Sequence, residues 1–154
     1  DPIMRLLIQR VSEASVSIGG EVHDQIDRGL LLFVGVTDSD SEADVERLAH
    51  KAGGLRIFSD DDGKMNLSLS QVNGEILVIS QFTLYGNAKK GFRPSFTEAA
   101  APDKAERLYE LFIQKLKDQG HHVAAGIFAA DMAVQLTNDG PVTLLLESVN
   151  GQFV

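Results

Sequence analysis

Three polar side chains, Ser80, Gln81 and Thr83, stand at the end of an apolar, β-branched stretch that the sequence predicts to be a buried strand. They belong to the segment SQFTL, whose other members, Phe82 and Leu84, are apolar. A strand that only filled a core would not need an amide and two hydroxyls. If the strand ends here, the backbone N–H groups of Phe82 and Thr83 are free to bind a ligand. The alternative is that the hydroxyls bond a neighbouring strand and the amide faces water, and composition alone leaves both interpretations open.

A second segment, NDGPVT at 138–143, combines turn formers with a proline. A simple turn would account for Asn138, Asp139 and Gly140. Pro141 cannot donate a hydrogen bond to a sheet ladder, so it marks an edge or a special peptide bond. An X-Pro bond adopts the cis form at small cost, and a preceding glycine permits unusual backbone angles.

Other candidate constellations favour ordinary structure over chemistry. The segment DDDG at 60–63 resembles a calcium loop, but the position six residues past its glycine is Leu69 where an EF-hand needs glutamate. His121 and His122 are adjacent, and neighbouring residues of a strand point to opposite faces, so the pair makes a poor chelate. No histidine stands beside a serine or aspartate in a motif that would indicate a catalytic triad. We therefore expect no metal and no cofactor.

The composition limits the class of protein. The chain has 154 residues and no cysteine, which suits one domain without disulfides or a thiol nucleophile. No apolar run reaches the length of a membrane span, and no signal peptide is visible, so the cytoplasm is the expected location. Met4 is taken as the natural start, which makes residues 1–3 a remnant of cloning and 4–149 the single domain.

The net charge of −8 disfavours broad binding to nucleic acid, and DNA in particular is not expected as a partner. One local basic cluster exists nevertheless. Lys89, Lys90 and Arg93 lie in the segment KKGFR, directly after SQFTL, with no acidic residue between them. Such a cluster could bind a short nucleic-acid terminus.

The elements that must position these residues follow from hydropathy. Three strands are predicted in MRLLIQRVSEASVSIGGEVHDQIDRGLLLFVGV, with Leu6, Ile8 and Arg10 on one face of the first. A helix follows that Ser39 or Ser41 can cap, and a second helix begins near Pro102. The last segment predicts two strands joined through NDGP. The fold class is α+β, with a mostly antiparallel, barrel-like sheet flanked by helices.

The two motifs together resemble the signature pair of the D-aminoacyl-tRNA deacylases, the D-Tyr-tRNA deacylase family. Further similar segments occur in the family's order: LIQRVSEASV, LRIFSDDDGKMN, KKGFRPSF and FAADMAVQLTNDGPVT. The resemblance covers nearly the whole chain. It departs at YGNAKK, which could alter the rim of the pocket, and in the short tail VNGQFV.

The resemblance implies a homodimer with two active sites at its interface and hydrolysis of the ester that joins a D-amino acid to the 3′ end of tRNA. Glycine wrongly attached to tRNA is implied as a second substrate. Gly140 and Pro141 are expected to form a cis peptide that reaches into the partner's pocket. There its backbone would exclude any L side chain, whatever the size of that side chain.

The same resemblance implies roles for individual residues. Ser80, Gln81, Phe82 and Thr83 form the expected catalytic segment, with the N–H groups of Phe82 and Thr83 stabilising the oxyanion. Thr83 as a nucleophile is the alternative, although nothing beside it could activate it. The family is thought to use the 2′-hydroxyl of the terminal adenosine, so that no side chain need act as the base.

The remaining expected contacts concern the substrate. Arg10 resembles the residue that pins the Gly-Pro segment; an exposed arginine without that role is the alternative. The substrate-binding group comprises Arg10, Met132, Asn138, Gly140 and Pro141, with Phe82 and Met132 lining the adenosine site. Lys89, Lys90 and Arg93 would meet phosphates of the acceptor end. A non-catalytic module that binds an RNA end or small ligand, and a purely structural dimer, are the competing functional classes.

Overall fold

The three strands predicted at the start of the chain form the centre of the sheet. The computed structural model describes residues 3–154, so Asp1 and Pro2, part of the segment expected to be a cloning remnant, lie outside the described residues. In chain order the elements are β1 (Met4–Ile18), β2 (Glu21–Ile26), β3 (Gly29–Gly35), α1 (Glu42–Gly54), β4 (Phe58–Ser59), β5 (Met65–Leu67), β6 (Glu75–Ser80), α2 (Pro102–Asp118), β7 (Val123–Ala125), β8 (Ala133–Val149) and β9 (Gln152–Phe153). Two short 3₁₀ helices span Ser70–Val72 and Phe82–Tyr85.

The main sheet is mixed, in the order β7-β6-β3-β1-β8-β9, with β2 also paired to β1. Strand β1 pairs antiparallel with β2, β3 and β8, and β8 pairs antiparallel with β9. The pairs β3–β6 and β6–β7 are parallel. Parallel neighbours need a long crossover connection, and α1 and α2 lie in those two connections. The expected α+β class with a mostly antiparallel sheet is confirmed, and the parallel pairs are an addition to it.

The two helices cover one face of this sheet. Alternate residues of β1 point to them, among which Met4, Leu6 and Ile8 are fully buried. On α2 the side chains of Leu108, Phe112 and Leu116 are buried in the same core. A second, smaller core on the other side collects Val11, Ala14, Val16, Leu31, Leu77 and Ile79. Strand β1 therefore contributes to both cores, as a strand in a strongly curled sheet must.

The curl nearly closes the sheet into a barrel. Strand β2, which branches from β1, meets the end strand β7 where the Asp24 carboxylate accepts a hydrogen bond of 3.1 Å from the Ala125 N–H. The closure is made by a side chain and not by a strand ladder, so the sheet is a half-barrel. The barrel-like shape expected from the sequence is confirmed in that form.

One element differs from the sequence prediction. The residues predicted as two strands joined through NDGP form the single strand β8, which pairs with β1 on both sides of that motif. Gln9 pairs with Thr143 and Val11 pairs with Asn138, so residues 139–142 are extruded from the ladder. The long, continuous β1 supplies partners to both halves of β8, and this keeps the chain running in one direction where a turn would have reversed it.

Candidate functional site

The SQFTL segment lies where β6 ends and a 3₁₀ helix begins. Strand β6 ends at Ser80, and the N–H of Gln81 donates the last sheet hydrogen bond, of 2.8 Å, to the carbonyl of Val34. Phe82 and Thr83 open the 3₁₀ helix, whose first N–H groups have no partner within the helix. Among residues 3–154 neither of these two N–H groups has an acceptor. Of the two interpretations that the sequence left open, the structure therefore shows the one in which the strand ends at Ser80, with two free donors side by side.

Hydrogen bonds from two side chains, those of Arg5 and Tyr85, hold this turn in place. The guanidinium of Arg5 donates a hydrogen bond of 2.7 Å to the carbonyl of Leu84. The buried hydroxyl of Tyr85 lies 2.9 Å from the carbonyl oxygen of Gly35 and 2.7 Å from that of Ile3. Because both anchors hold the backbone, the directions of the free N–H groups are set before any ligand arrives.

The side chains of Gln81 and Thr83 contact each other. The Gln81 Nε2 atom lies 2.7 Å from Thr83 Oγ1, and the Thr83 side chain is exposed. Within the described chain no histidine, lysine or carboxylate is hydrogen-bonded to that hydroxyl. An amide is too weak a base to deprotonate a threonine, so the arrangement favours positioning over nucleophilic attack.

Two residues of the SQFTL segment line a cavity of about 410 Å³, and Thr83 directly follows the second of them. Ser80 and Phe82 line one side and Met132 lines another. Its remaining walls are mainly apolar and come from Val34, Val36, Ala99, Ala100, Pro102, Ala105, Phe128, Ala129 and Ala130. The volume and the apolar lining suit a small organic ligand such as a nucleoside. Two larger depressions, of about 660 and 580 Å³, are more open to solvent and contain no residue of either motif.

Several residues of the cavity wall were not predicted from the sequence. Phe128 and Ala129 lie in the connection between β7 and β8, and Pro102 begins α2, so nothing in their spacing links them to SQFTL. Ala129 has a φ of +65°, in the left-handed region that residues with a side chain rarely adopt. Backbone strain of this kind clusters at binding sites and is a structural signal, not one readable from the sequence.

The cavity wall at residues 98–100 is attached to the loop that follows β3. Thr37 donates a hydrogen bond of 2.6 Å from its hydroxyl to the carbonyl of Glu98, and the Ala100 N–H bonds the carbonyl of Val36 at 2.9 Å. The Asp40 carboxylate in turn accepts the Thr37 N–H at 2.7 Å. The pKa of Asp40 is raised to about 7, chiefly by burial and to a smaller degree by the nearby Asp44, against the Thr37 N–H and Lys104, which lower it.

This raised pKa predicts a pH-dependent stability. The folded protein holds a proton on Asp40 up to about pH 7, whereas the unfolded chain releases it near pH 4, so the free energy of unfolding falls as pH rises between these values. The variant Asp40→Asn, which mimics the protonated form, should exceed the wild type in stability by at least about 1 kcal/mol at pH 8. The gap should close below pH 4. Urea unfolding at both pH values, with Asp61→Asn on a surface turn as the matched loss of one charge, measures it; a gap independent of pH would contradict the assignment.

The Gly140–Pro141 peptide is cis, as expected, and both residues are exposed. Arg10 holds the segment before it, since its Nε donates to the carbonyl of Asp139 at 3.0 Å and its Nη1 to the carbonyl of Ile57 at 2.7 Å. Arg10 is only 7% exposed, so the alternative of an arginine in solvent is wrong. Its contact to the substrate itself stays a prediction.

Asn138 closes the other side of the extruded segment. Its Oδ1 accepts the N–H of Val142 at 2.7 Å, and its Nδ2 donates to the carbonyl of Val142 at 3.2 Å and to the hydroxyl of Thr143 at 3.0 Å. The side chain thereby replaces the ladder bonds that the extruded residues have left. Asn138 shapes the Gly-Pro segment, and a direct contact to substrate is not needed to explain it.

Within one chain the two motifs lie at opposite ends of the strands. Ser80 belongs to the row that continues through Val34 and Leu6 to Leu146. Arg10, beside the Gly-Pro segment, lies four residues further along β1 from Leu6. Four residues and three strand spacings separate the motifs by roughly 20 Å. The structure therefore does not bring Gly140 and Pro141 to Ser80 in the same subunit.

The basic cluster lies on a loop that leaves the mouth of the cavity. Asn87 and Ser95 close the loop through a pair of backbone hydrogen bonds, of 2.8 and 3.0 Å. Lys89, Lys90 and Arg93 are all exposed on it. Phe96, directly after the loop, packs edge-on against Phe82 with ring centroids 5.3 Å apart. The cations are thus near the cavity, as their position after SQFTL suggests.

The described residues contain no group of three or more histidine, aspartate or glutamate side chains placed to hold a metal ion. Neither α1 nor α2, the two α-helices of this part of the chain, is long and apolar enough to cross a membrane.

Comparison with known proteins gives a consistent result. The model of the family described as D-Tyr-tRNA(Tyr) deacylase matches residues 7–147. A D-aminoacyl-tRNA deacylase of Thermotoga petrophila is 58% identical over 94% of this chain and 97% of its own length. One of Brevibacillus brevis is 55% identical over 94% of this chain and all of its own. Among solved structures, the c-Myc DNA unwinding element binding protein superposes with a TM-score of 0.88 at 37% identity, over 94% of this chain and 99% of that one.

Proposed function

The chain belongs to the D-Tyr-tRNA(Tyr) deacylase family, and from this premise we propose that it hydrolyses the ester between a D-amino acid and the 3′ end of tRNA. The products are free amino acid and tRNA, and the activity removes wrongly charged tRNA before translation uses it. Mischarged glycyl-tRNA is a second substrate, because glycine has no side chain to exclude. The supporting observation is the pair of free N–H groups on Phe82 and Thr83, in a segment whose residues Ser80 and Phe82 line a cavity of nucleoside size.

The geometry supports a mechanism without a protein base. The terminal adenosine enters the cavity between Phe82 and Met132, and the ester carbonyl lies against the N–H groups of Phe82 and Thr83. Water attacks the carbonyl carbon, and the negative charge that develops on the carbonyl oxygen is stabilised by those two donors. The bond to the 3′ oxygen then breaks, and that oxygen leaves with a proton. The 2′-hydroxyl beside it assists the proton transfer, since none of the described residues that line the cavity has a titratable side chain.

A homodimer would bring together the two motifs that lie apart within one chain. The sheet carries an apolar row of Phe33, Leu7 and Leu145, paired side by side on the face away from the helices, and Leu145 is 52% exposed. A second copy packed on this row about a two-fold axis perpendicular to the strands reverses the strand direction. The Gly140–Pro141 segment of one copy then meets the Ser80 end of the other. We propose that both active sites form in this way.

Selection of the D enantiomer follows from that arrangement. The exposed backbone at Gly140 and Pro141 forms a wall beside the α-carbon of the bound amino acid. An L side chain would collide with the wall whatever its size, while a D side chain would point to solvent. Rejection by backbone explains how one pocket can serve many D-amino acids. Arg10 and Asn138 keep the wall in place through their bonds to Asp139 and Val142.

The decisive experiment is a deacylation assay with purified protein, in the presence of a chelator, on matched D-, L- and glycyl-tRNA. Free amino acid should be released from the D and glycyl substrates and not from the L substrate, at a rate that added divalent ions do not change. Activity that disappears with the chelator and returns with a divalent ion would contradict a metal-free mechanism. Binding of tRNA without any release would favour the alternative of a non-catalytic RNA-end module.

The basic loop should carry much of the electrostatic attraction to tRNA, because the protein as a whole is acidic. The double variant Lys89→Ala/Lys90→Ala should weaken binding and reduce the slope of log K against log salt by about one per lost phosphate contact. Binding titrations at several salt concentrations measure the slope. Lys64→Ala/Lys117→Ala, which removes two exposed lysines outside this loop, is the matched control. Equal slopes for both double variants would mean that tRNA binds elsewhere.

The remaining expectations concern place and partners. We propose a cytoplasmic location, where aminoacyl-tRNA is made and used. The solved relative whose name mentions a DNA element does not change the expectation for this chain, because a net charge of −8 leaves only the local cluster for nucleic acid.

A further inference from the structure

Phe92 is an aromatic side chain held fully in solvent. Its relative exposure is 105%, which is the highest of the exposed large apolar residues, and it packs on nothing. A single exposed apolar residue needs no explanation by itself. This one, however, stands at the tip of the loop 87–95, between Lys90 and Arg93, and the loop contains no acidic residue. Aromatic residues interleaved with cations are the pattern by which proteins bind single-stranded nucleic acid.

The loop is closed at its base and is held there against Phe82, a residue of the cavity wall. Its base is closed by the paired backbone bonds of Asn87 and Ser95, and the side chain of Asn87 also accepts the Lys89 N–H at 3.0 Å. Gly91, with a φ of +66°, makes the turn directly before Phe92. Phe96 then fixes the end of the loop against Phe82 at the cavity. Three residues of extended chain place the tip up to about 10 Å from that base.

We propose that Phe92 is a stacking platform for an unpaired base of the tRNA 3′ end, next to the terminal adenosine and not the adenosine itself. The inference rests on the proposed function, which places the adenosine in the cavity beside Phe82. The preceding nucleotides are single-stranded and must leave the cavity past the loop. Every base presents a face on which an aromatic ring can stack, while Lys89, Lys90 and Arg93 meet the phosphates on either side.

The alternative binding partner of the Phe92 side chain is a second copy of this chain. The charges favour RNA: the protein carries a net charge of −8, so its copies repel one another over most of their surface, whereas a loop with three cations and no acid complements a phosphate chain. The apolar row of Phe33, Leu7 and Leu145 offers the copies a different surface for contact.

The test compares substrates of different length. Wild type and Phe92→Ala are assayed on a D-aminoacyl ester of adenosine alone, on the same ester of a trinucleotide that ends in the tRNA sequence, and on D-aminoacyl-tRNA. Phe92→Ala should raise KM by about fivefold or more on the trinucleotide and on tRNA, with kcat unchanged. The nucleoside ester does not reach the loop and serves as the internal reference. Phe92→Trp should restore KM and Phe92→Leu should not, because leucine keeps the apolar surface but has no ring. Phe153→Ala, on the C-terminal strand β9, is the matched control because it also removes an exposed phenylalanine.

Several results would overturn the inference. They are an unchanged KM on tRNA for Phe92→Ala, an equal loss on all three substrates, full rescue by leucine, and dissociation of the dimer, which would assign the loop to the second copy. If the proposed function itself failed, wild type would hydrolyse none of the esters. Fluorescence titration with the trinucleotide that carries no amino acid would still test the role of Phe92. In that titration Phe92→Ala must weaken binding of the trinucleotide and not of adenosine.

Discussion

Replacing Gly140 with valine is expected to lower the rate of D-aminoacyl-tRNA hydrolysis by about 100-fold or more, since small displacements of a positioning group have effects of this size. Gly140 has a φ of +135°, a conformation that β-branched residues avoid. A Cβ atom there would lie 2.8 Å from Val142 Cγ2 and 3.1 Å from Arg10 Nη2. The backbone wall that we propose to face the substrate would therefore shift. Single-turnover hydrolysis of D-, L- and glycyl-tRNA measures the effect.

A suitable control separates the site from simple backbone strain. Gly63 also has a positive φ, of +76°, but a Cβ there would meet nothing within 4 Å, and the residue lies in the turn between β4 and β5. Gly63→Val should therefore lower the free energy of unfolding by about 1–3 kcal/mol, as Gly140→Val does, but should keep its activity per folded protein. Sedimentation should find both variants dimeric, because each change is local. If Gly140→Val kept full activity and D selectivity, the backbone wall would not be the source of selection.

The second large effect is expected from the substrate. A D-aminoacyl-tRNA that ends in 2′-deoxyadenosine should be hydrolysed about 100-fold more slowly, the lower end of what general acid–base catalysis contributes. Thr83→Ala, by contrast, should stay within about tenfold of the wild type. The physical reason is that Thr83 contacts the Gln81 amide and no base, so it cannot supply an activated oxygen.

The measured rates need a correction for spontaneous hydrolysis, and Thr83→Ala needs a control variant. The 2′-hydroxyl also affects spontaneous ester hydrolysis, so each enzymatic rate is divided by the rate without enzyme. Thr83→Ser keeps the hydroxyl and should behave as the wild type. A dead Thr83→Ala together with full activity on the deoxy substrate would reverse the assignment, and a rapid burst of released tRNA would then be expected from a covalent acyl-enzyme.

The two predictions concern different parts of the same site. In the proposed mechanism Gly140 determines which enantiomer is admitted, and the 2′-hydroxyl assists the chemical step once the ester is bound. Glycyl-tRNA links them, because it has no side chain for the wall to reject but still carries the 2′-hydroxyl. Its hydrolysis should therefore depend on the hydroxyl as strongly as that of the D substrate does.

Much of the local structure was readable from the sequence because short-range physics determines it. The end of β6 at Ser80 follows from the change from apolar β-branched residues to polar ones. The start of α1 follows from Ser41 and Asp44, whose carboxylate accepts the Ser41 N–H at 3.0 Å. The cis bond before Pro141 was expected from the Gly-Pro pair and its resemblance to the family, and was found. Each of these features involves residues within a few positions of one another.

Tertiary structure alone decided how these pieces are arranged. The 17-residue strand β8 continues through NDGP because β1, more than 100 residues earlier, offers it partners on both sides. The cavity needs Phe128 and Pro102, which reach Ser80 only through the packing of α2 and the parallel strands β6 and β7. The distance between Gly140 and Ser80 follows from strand register. Register and packing join residues far apart in the chain, and no local pattern of side chains encodes which distant partner a strand will find.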